Sequence, residues 1–310
     1  MEVALRNFIA RSLLALTVLF SPPARAETFK DAFPDLYPLI VDEIRDRTGQ
    51  MDLLRGVVTL TEGQAQVDVP AGYYFLGPDD ARFVIEKLWR NPPDATMLGL
   101  LFPAAMTPFG EQDFGVSFQF DPMGYVSDDD AEGYDYDDLL KQMQDDTTAD
   151  NAEWQKQGYP EVTLLGWAEP PRYDKATRKL IWAKRLAFSD TPGETLNYNI
   201  RALGRKGVLV VNFIAAMPQM AEVQAAAPEV MAMVSFTTGN TYADFVPGVD
   251  TVAAVGIGGL IAGKVLSTTG ALAVALLFLK KAWFLIFLPL AWVWTKFKSG
   301  RGRDKSGPEA

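Results

Sequence analysis

The sequence predicts an α+β domain with a mainly antiparallel sheet and packed helices, followed by a C-terminal transmembrane anchor. Three observations lead there. Strand-like stretches run in pairs, the clearest being the alternation of Phe114, Val116, Phe118 and Phe120 on one face. Helical patterns are inserted between those pairs at intervals, as in α+β folds. Beyond Pro247 the chain turns into an apolar run, residues 252–294, followed by Lys296, Lys298, Arg301, Arg303 and Lys305.

At the front, Arg6 and Arg11 precede the apolar segment 12–20, and Ala24-Arg25-Ala26 offers small residues where a signal peptidase reads. So short an apolar core suits a cleaved signal peptide better than a retained membrane helix, so the mature chain is expected to begin near Glu27. Phe33, Leu36, Tyr37, Ile40 and Ile44 fall at helical spacing and predict a helix over residues 33–44. Residues 56–60 and 65–69 read as a hairpin around Glu62-Gly63-Gln64, and 72–76 as the next strand. Pro78 and Asp79 open a helix to about Trp89, with Ala81, Val84, Ile85 and Leu88 on one face and Pro92-Pro93 as its stop.

Residues 97–102 and 114–120 are predicted strands, and 136–157 a polar helix stopped by Gly158 and Pro160. A strand over 162–168, a loop over 170–174 and a strand over 179–188 follow. Residues 196–203 and 208–214 pair across Gly204-Arg205-Lys206-Gly207, a turn in which glycine tolerates positive φ. The last helix is predicted over 217–233, with Met220, Val223, Ala227, Val230 and Met231 inward, and residues 234–236 close the sheet. This order of elements resembles a Mog1/PsbP-like sandwich.

The apolar run is long for one crossing of about 20 residues and short for two. It contains Lys264, Lys280 and Lys281, and a lysine at mid-bilayer costs roughly 3 kcal/mol. One solution crosses over 256–279, leaves Lys280 and Lys281 at the inner surface and lays 282–294 along the interface. There Trp283, Trp292 and Trp294 suit the headgroup zone. The other crosses over 271–293 with both lysines snorkelling. Two full crossings would return the tail cations to the side of the soluble domain, against the positive-inside rule, so one net crossing is expected. Gly259 and Gly263 form a small-xxx-small pair that lets helices approach closely, although glycine is common in membrane helices anyway. The expected division is a signal peptide over 1–26, an exported domain over 27–248, an anchor over 249–298 and a basic cytoplasmic tail over 299–310.

Composition excludes several chemistries. With no cysteine and no histidine, the chain cannot build a disulfide, a Ser-His-Asp or Cys-His nucleophilic site, or the usual zinc ligand sets. Residues 27–247 carry 18 Lys and Arg against 35 Asp and Glu, a net charge of −17 that repels phosphate backbones, so no nucleic-acid partner is expected. The charge is uneven. Residues 94–169 contain only Lys141 and Lys156 as cations, whereas 172–206 carry nine cations against Asp174, Asp190 and Glu194. Internal pairing of the two stretches is the ordinary reading, and a bipolar interaction surface the other.

Several ordered landmarks carry a family resemblance: Gly124-Tyr125-Val126-Ser127-Asp128-Asp129-Asp130-Ala131, Asp137-Asp138-Leu139-Leu140, Gly166-Trp167, Pro171-Arg172-Tyr173-Asp174, Leu180-Ile181-Trp182-Ala183, Leu196-Asn197-Tyr198 and Leu203-Gly204-Arg205-Lys206-Gly207. With them the chain resembles a bacterial membrane-anchored family known only as domain of unknown function 2167. The resemblance implies a secreted domain with a C-terminal membrane anchor, and no catalytic residues to carry over.

Candidate chemistry is sparse. Asp128, Asp130 and Glu132, with Gly133 sixth, imitate the start of an EF-hand loop, but Leu139 stands at the twelfth position where a bidentate glutamate is required. Weak oxygen-ligand metal binding is one reading. The plainer one is an acidic turn that sets Asp135, Asp137 or Asp138 at the N-terminus of the next helix. Trp167, Tyr173, Trp182 and Tyr198 read as core rather than as a stacking surface. Arg172, Arg201, Arg205 and Lys206 read as partners for the acidic stretch rather than as an anion clamp. No catalytic residue and no cofactor is predicted. The expected function is a tethered interaction or scaffolding module at the inner (cytoplasmic) membrane, its domain periplasmic or extracellular and its C-terminus cytoplasmic. Its partner would be another envelope protein or itself. The alternative is a carboxylate-based, calcium- or magnesium-dependent hydrolase of envelope material.

Overall fold

The computed structural model describes residues 25–61, 64–110, 113–131 and 134–262. The expected signal peptide, the Glu62-Gly63 half of the first turn, Glu132, and the anchor residues Gly263, Lys280, Lys281, Trp283, Trp292 and Trp294 lie outside the described residues. Among the described residues no helix is long and apolar enough to cross a membrane.

The chain divides into two units at Gly258/Gly259. The first holds an 11-stranded sheet in which every paired strand is antiparallel, together with helices, as the sequence predicts. The strands are β1 (Arg25–Thr28), β2 (Asp52–Leu60), β3 (Ala65–Val69), β4 (Tyr73–Leu76), β5 (Met97–Pro103), β6 (Gly115–Asp121), β7 (Val162–Asp174), β8 (Lys179–Phe188), β9 (Thr191–Leu203), β10 (Val208–Ala216) and β11 (Val234–Phe236). Their order is β11-β3-β2-β4-β5-β6-β10-β9-β8-β7, with β1 added to β2. A cut after Ala26 would leave Glu27 and Thr28 paired with Leu53 and Asp52.

β2 starts four residues before its predicted limit because it serves two neighbours. Its first part pairs with β1 and β4, and from Gly56 onward it pairs with β3. Gly56 sits at the switch with φ 88, a conformation that a side chain would strain. The turn carries β3 and β11 over one face of the sheet. There Val67, Phe75, Leu101, Val116, Phe118, Ile200, Val211 and Phe213 form one core with Val223 and Val230 of α5 (Met220–Met233). The predicted helix over 217–233 appears as a single turn, Met217–Gln219, and then α5.

Because side chains alternate across a strand, the next residues of β4 and β5 face the opposite side. Here Tyr74, Leu76, Leu100 and Phe102 pack on Phe29, Met51, Ala81 and Val84. The helix predicted over 33–44 is broken. Phe29–Ala32 (α1) is a single turn, Tyr37–Leu39 a 3₁₀ turn, and Asp42–Gly49 (α2) the true helix. Pro34 and Pro38 interrupt the backbone bonding a continuous helix needs, which leaves Leu39 and Val41 exposed. The helix predicted from Pro78 is α3 (Pro78–Arg82), which loosens into a π-type turn, Phe83–Leu88.

Farther along the same face the lining changes from apolar to polar. Cross-strand partners make one row of Trp182, Asn199, Asn212 and Ser117, flanked by Leu180, Arg201, Val210 and Gln119 on one side and by Lys184, Asn197, Ile214 and Gly115 on the other.

Helix α4 (Tyr136–Lys156) starts as the sequence predicts, with Asp135 accepting from the backbone N–H groups of Asp137 and Asp138 at 2.9 and 3.2 Å. It packs along β7, the end strand of the sheet. Asn151 donates to Val162 O at 2.8 Å and accepts from Val162 N at 2.9 Å, as a neighbouring strand would. Gln144 donates to Leu164 O at 3.0 Å. The loop expected over 170–174 is instead the end of β7. Pro170 and Pro171 are tolerated because β7 is a border strand and its register with β8 shifts between Glu169 and Arg172, a bulge in which the ladder needs no N–H from either proline.

Candidate functional site

Three landmark segments of the sequence meet where the chain returns from β11 and crosses the end of the sheet. Asp128, just beyond β6, is the centre. Its Oδ2 accepts from the Tyr173 hydroxyl at 2.9 Å and pairs with Arg178 Nη1. The Tyr242 hydroxyl lies 3.1 Å from Oδ1 and 3.0 Å from Val126 O, so its single proton is shared between them. Burial raises the Asp128 carboxyl, but the hydrogen bonds from Tyr173 and Tyr242 and the Arg178 charge outweigh it and hold the group below the usual carboxylate range. Burial, with the neighbouring carboxylate, pushes Tyr173 up to about 12.

Arg178 reaches this point from the β7–β8 hairpin, where Asp174 accepts from the N–H groups of Ala176 and Thr177 and fixes the turn. Arg178 itself adopts φ 55, uncommon for a side-chain-bearing residue, and its Cζ lies 4.7 Å from the centre of the Tyr242 ring. One residue thus neutralises Asp128 and covers Tyr242.

Residues 237–256 form a strap over these groups. Tyr125 is stacked between Tyr242 and Phe245, centroids 4.5 and 3.9 Å away. Its backbone N–H donates to Thr251 O and its carbonyl accepts from Ala253 N, both at 2.8 Å. Gly124, with φ 95, lets the two chains approach, since a Cβ there would stand 2.6 Å from Thr251 O. Arg205 grips Asp250 with two parallel bonds of 2.8 and 3.0 Å and donates to Gly239 O at 3.1 Å. Farther on, Ile257 N donates to Asp130 Oδ1 at 3.2 Å, and Asp130 also accepts from the Tyr134 hydroxyl. The compact unit runs to Gly258, and the strap's polar groups find their partners on it.

Of the residues predicted as weak metal ligands, Asp128 and Asp130 are both engaged by donors of the protein. Among the described residues no three acidic side chains gather as a metal ion would require. Trp182 and Tyr198 are buried, as expected for core, while Trp167 and Tyr173 are only partly so. The expected pairing of the basic and acidic stretches holds for Arg172 with Glu169 and Arg178 with Asp128. Arg205 finds Asp250 outside that stretch, and Arg201 has no ion pair with a described residue. Arg178, Tyr242 and Asp250 escaped the sequence reading. The one local signal for them was that Tyr173 and Arg205 stand in landmark segments.

A family model described as "Protein of unknown function (DUF2167)" matches residues 53–291. Among curated proteins none matches the sequence. Among the solved structures similar to the chain are two that match over most of their own length. The cyanobacterial PsbP (CyanoP) of Synechocystis sp. PCC 6803 is 10% identical with TM-score 0.36, the match covering 58% of this chain and 91% of that one. The Ran-binding protein Mog1p of Saccharomyces cerevisiae is 11% identical with TM-score 0.29, the match covering 63% of this chain and 100% of that one.

Proposed function

We propose a membrane-tethered interaction module for this chain, which belongs to the DUF2167 family of proteins of unknown function. The strap latched onto Asp128, Arg205 and Asp130 supports this reading. The strap is bonded to the body as far as Ile257, and the apolar sequence continues from Gly259 with no polar linker between. Residues 259–279 number 21 and end just before Lys280 and Lys281, which suits one crossing of about 20 residues with the lysines at the inner surface. A signal peptide over 1–26 would deliver the acidic domain to the outer side and leave the basic tail in the cytosol.

Tethering confines the domain to the membrane plane and raises its effective concentration toward partners there. The partner in this reading is a second envelope protein or another copy of the chain.

Two reporters test the topology in living cells. One active only in the cytosol is fused at Ala310, and one active only outside is placed in the turn near Asp190. Both should report, and crosslinking in the same cells should recover one defined partner. Intact protein in the soluble fraction of a detergent-free lysate would overturn the reading.

A further inference from the structure

The polar row on the sheet holds two cations that form no salt bridge with a described residue, although the Asp121 carboxyl at the end of β6 lies near enough to Arg201 for their charges to interact. Lys184 on β8 makes no hydrogen bond or ion pair with a described residue. Arg201 on β9 leans over the Trp182 ring, Cζ 4.8 Å from its centre. It spends Nη1 on Asn212 Oδ1 at 2.9 Å and Ile200 O at 3.2 Å, and nothing described accepts from its other nitrogens. Beneath it the Trp182 Nε1–H is buried with no acceptor among the described residues. Asn197 and Asn199 stand in the same rows, and Asn199 Nδ2 is tied back to Asn197.

Unsatisfied donors and unpaired cations at a partly buried site oppose folding, because desolvation is not offset by a partner. The cost is visible in the groups themselves. Burial, and then repulsion from Arg201, lowers Lys184 to about 8. Burial lowers Arg201 to about 10, and the nearby Asp121 charge offsets only part of that. Both cations stay partly open to solvent, so something outside the described chain can reach them.

We propose that this β8–β9–β10 surface binds an oxyanion, a phosphate or carboxylate group held between Lys184 and Arg201. The pair supplies charge from two adjacent strands, and Arg201 keeps free N–H groups for the planar, two-point contact that guanidinium makes with such anions.

The test uses the purified full chain in a neutral detergent. Inorganic phosphate and succinate serve as soluble probes against chloride of equal ionic strength. Nanodiscs of phosphatidylglycerol against phosphatidylcholine distinguish a lipid source from a free one. The readouts are the thermal midpoint and the indole ¹H–¹⁵N resonance of Trp182, assigned with Trp182→Phe. At least one anion should raise the midpoint and shift that resonance saturably in the wild type. Lys184→Met and Arg201→Lys should each weaken the response about tenfold or more, the size expected for loss of a charge-assisted contact. Lys184→Met should also raise the midpoint in chloride alone, since it removes an unpaired cation, so a folding defect and a binding defect separate. An absent response, or one equal in wild type and both variants, would overturn the proposal.

Discussion

Asp128→Asn should release the strap while leaving the sheet intact. The substitution keeps volume and one acceptor oxygen but removes the charge that holds Arg178 and strengthens the bonds from Tyr173 and Tyr242. A hydrogen bond to a charged group is worth about 1.5–3 kcal/mol net. Tyr242 keeps Val126 O as an acceptor, and Arg178, about a third exposed, contributes at the low end. The combined loss is therefore about 2–3 kcal/mol rather than a sum of three full bonds. At about 1.4 kcal/mol per factor of ten, native-state hydrogen exchange should speed up roughly 30- to 150-fold at the amides of Tyr125 and Ala253, which bond across the strap. Amides of the β9–β10 ladder should hold their rates. Equal acceleration throughout the domain, or none at the strap, would refute the idea that Asp128 governs a locally separable element. The pH dependence has a definite sign. In the folded chain the carboxyls of Asp128, Asp244 and Asp250 lie below the ordinary 3.8. Their contribution is complete above that value and is lost as pH falls through the folded values, so the strap should loosen in acid before the sheet does.

Three further outcomes can be checked. Because Lys184 is lowered to about 8 while an unfolded lysine titrates near 10.5, stability should rise with pH above about 8 by up to 1.4 kcal/mol per unit. Urea unfolding at pH 7.5 and 9 should show this slope, and Lys184→Met should flatten it. Arg178→Gly relaxes the positive φ while Arg178→Ala does not, so calorimetry should find the alanine variant less stable by about 1 kcal/mol, although both lose the Asp128 pair. Asn151→Leu strips Val162 of both partners and should cost about 2–3 kcal/mol, read by denaturant titration. The same variant should associate on analytical ultracentrifugation.

The sequence shows much of the ladder because local pattern carries it. Residues 65–69, 179–188 and 234–236 were predicted with the limits the structure has, and the Phe114–Phe120 alternation is the inward face of β6. Where two signals compete, the local one misleads. The apolar spacing of residues 33–44 is helical, but Pro34 and Pro38 prevail, and Pro170-Pro171 resembles a loop only until β7 is known to be a border strand. The latch was not legible. Asp128 meets Tyr173 and Arg178 across 45 and 50 positions and Tyr242 across 114, so only the fold could show that an acidic turn is a junction. The same holds for Lys184 and Arg201. That neither forms a salt bridge with a described residue is a matter of which face they occupy, and a count of charges says nothing about faces.

The pairing of Asn151 with Val162 bears on how copies of this molecule can meet. A bare border strand invites a second molecule to continue the sheet, the route to filaments and runaway assembly. Here amide side chains already occupy part of one margin, and two prolines that lack an N–H interrupt the rest, while the opposite margin, β11, is only three residues long. At high concentration such molecules can pack side by side without zipping together, and any lasting contact has to be made through side chains on a face.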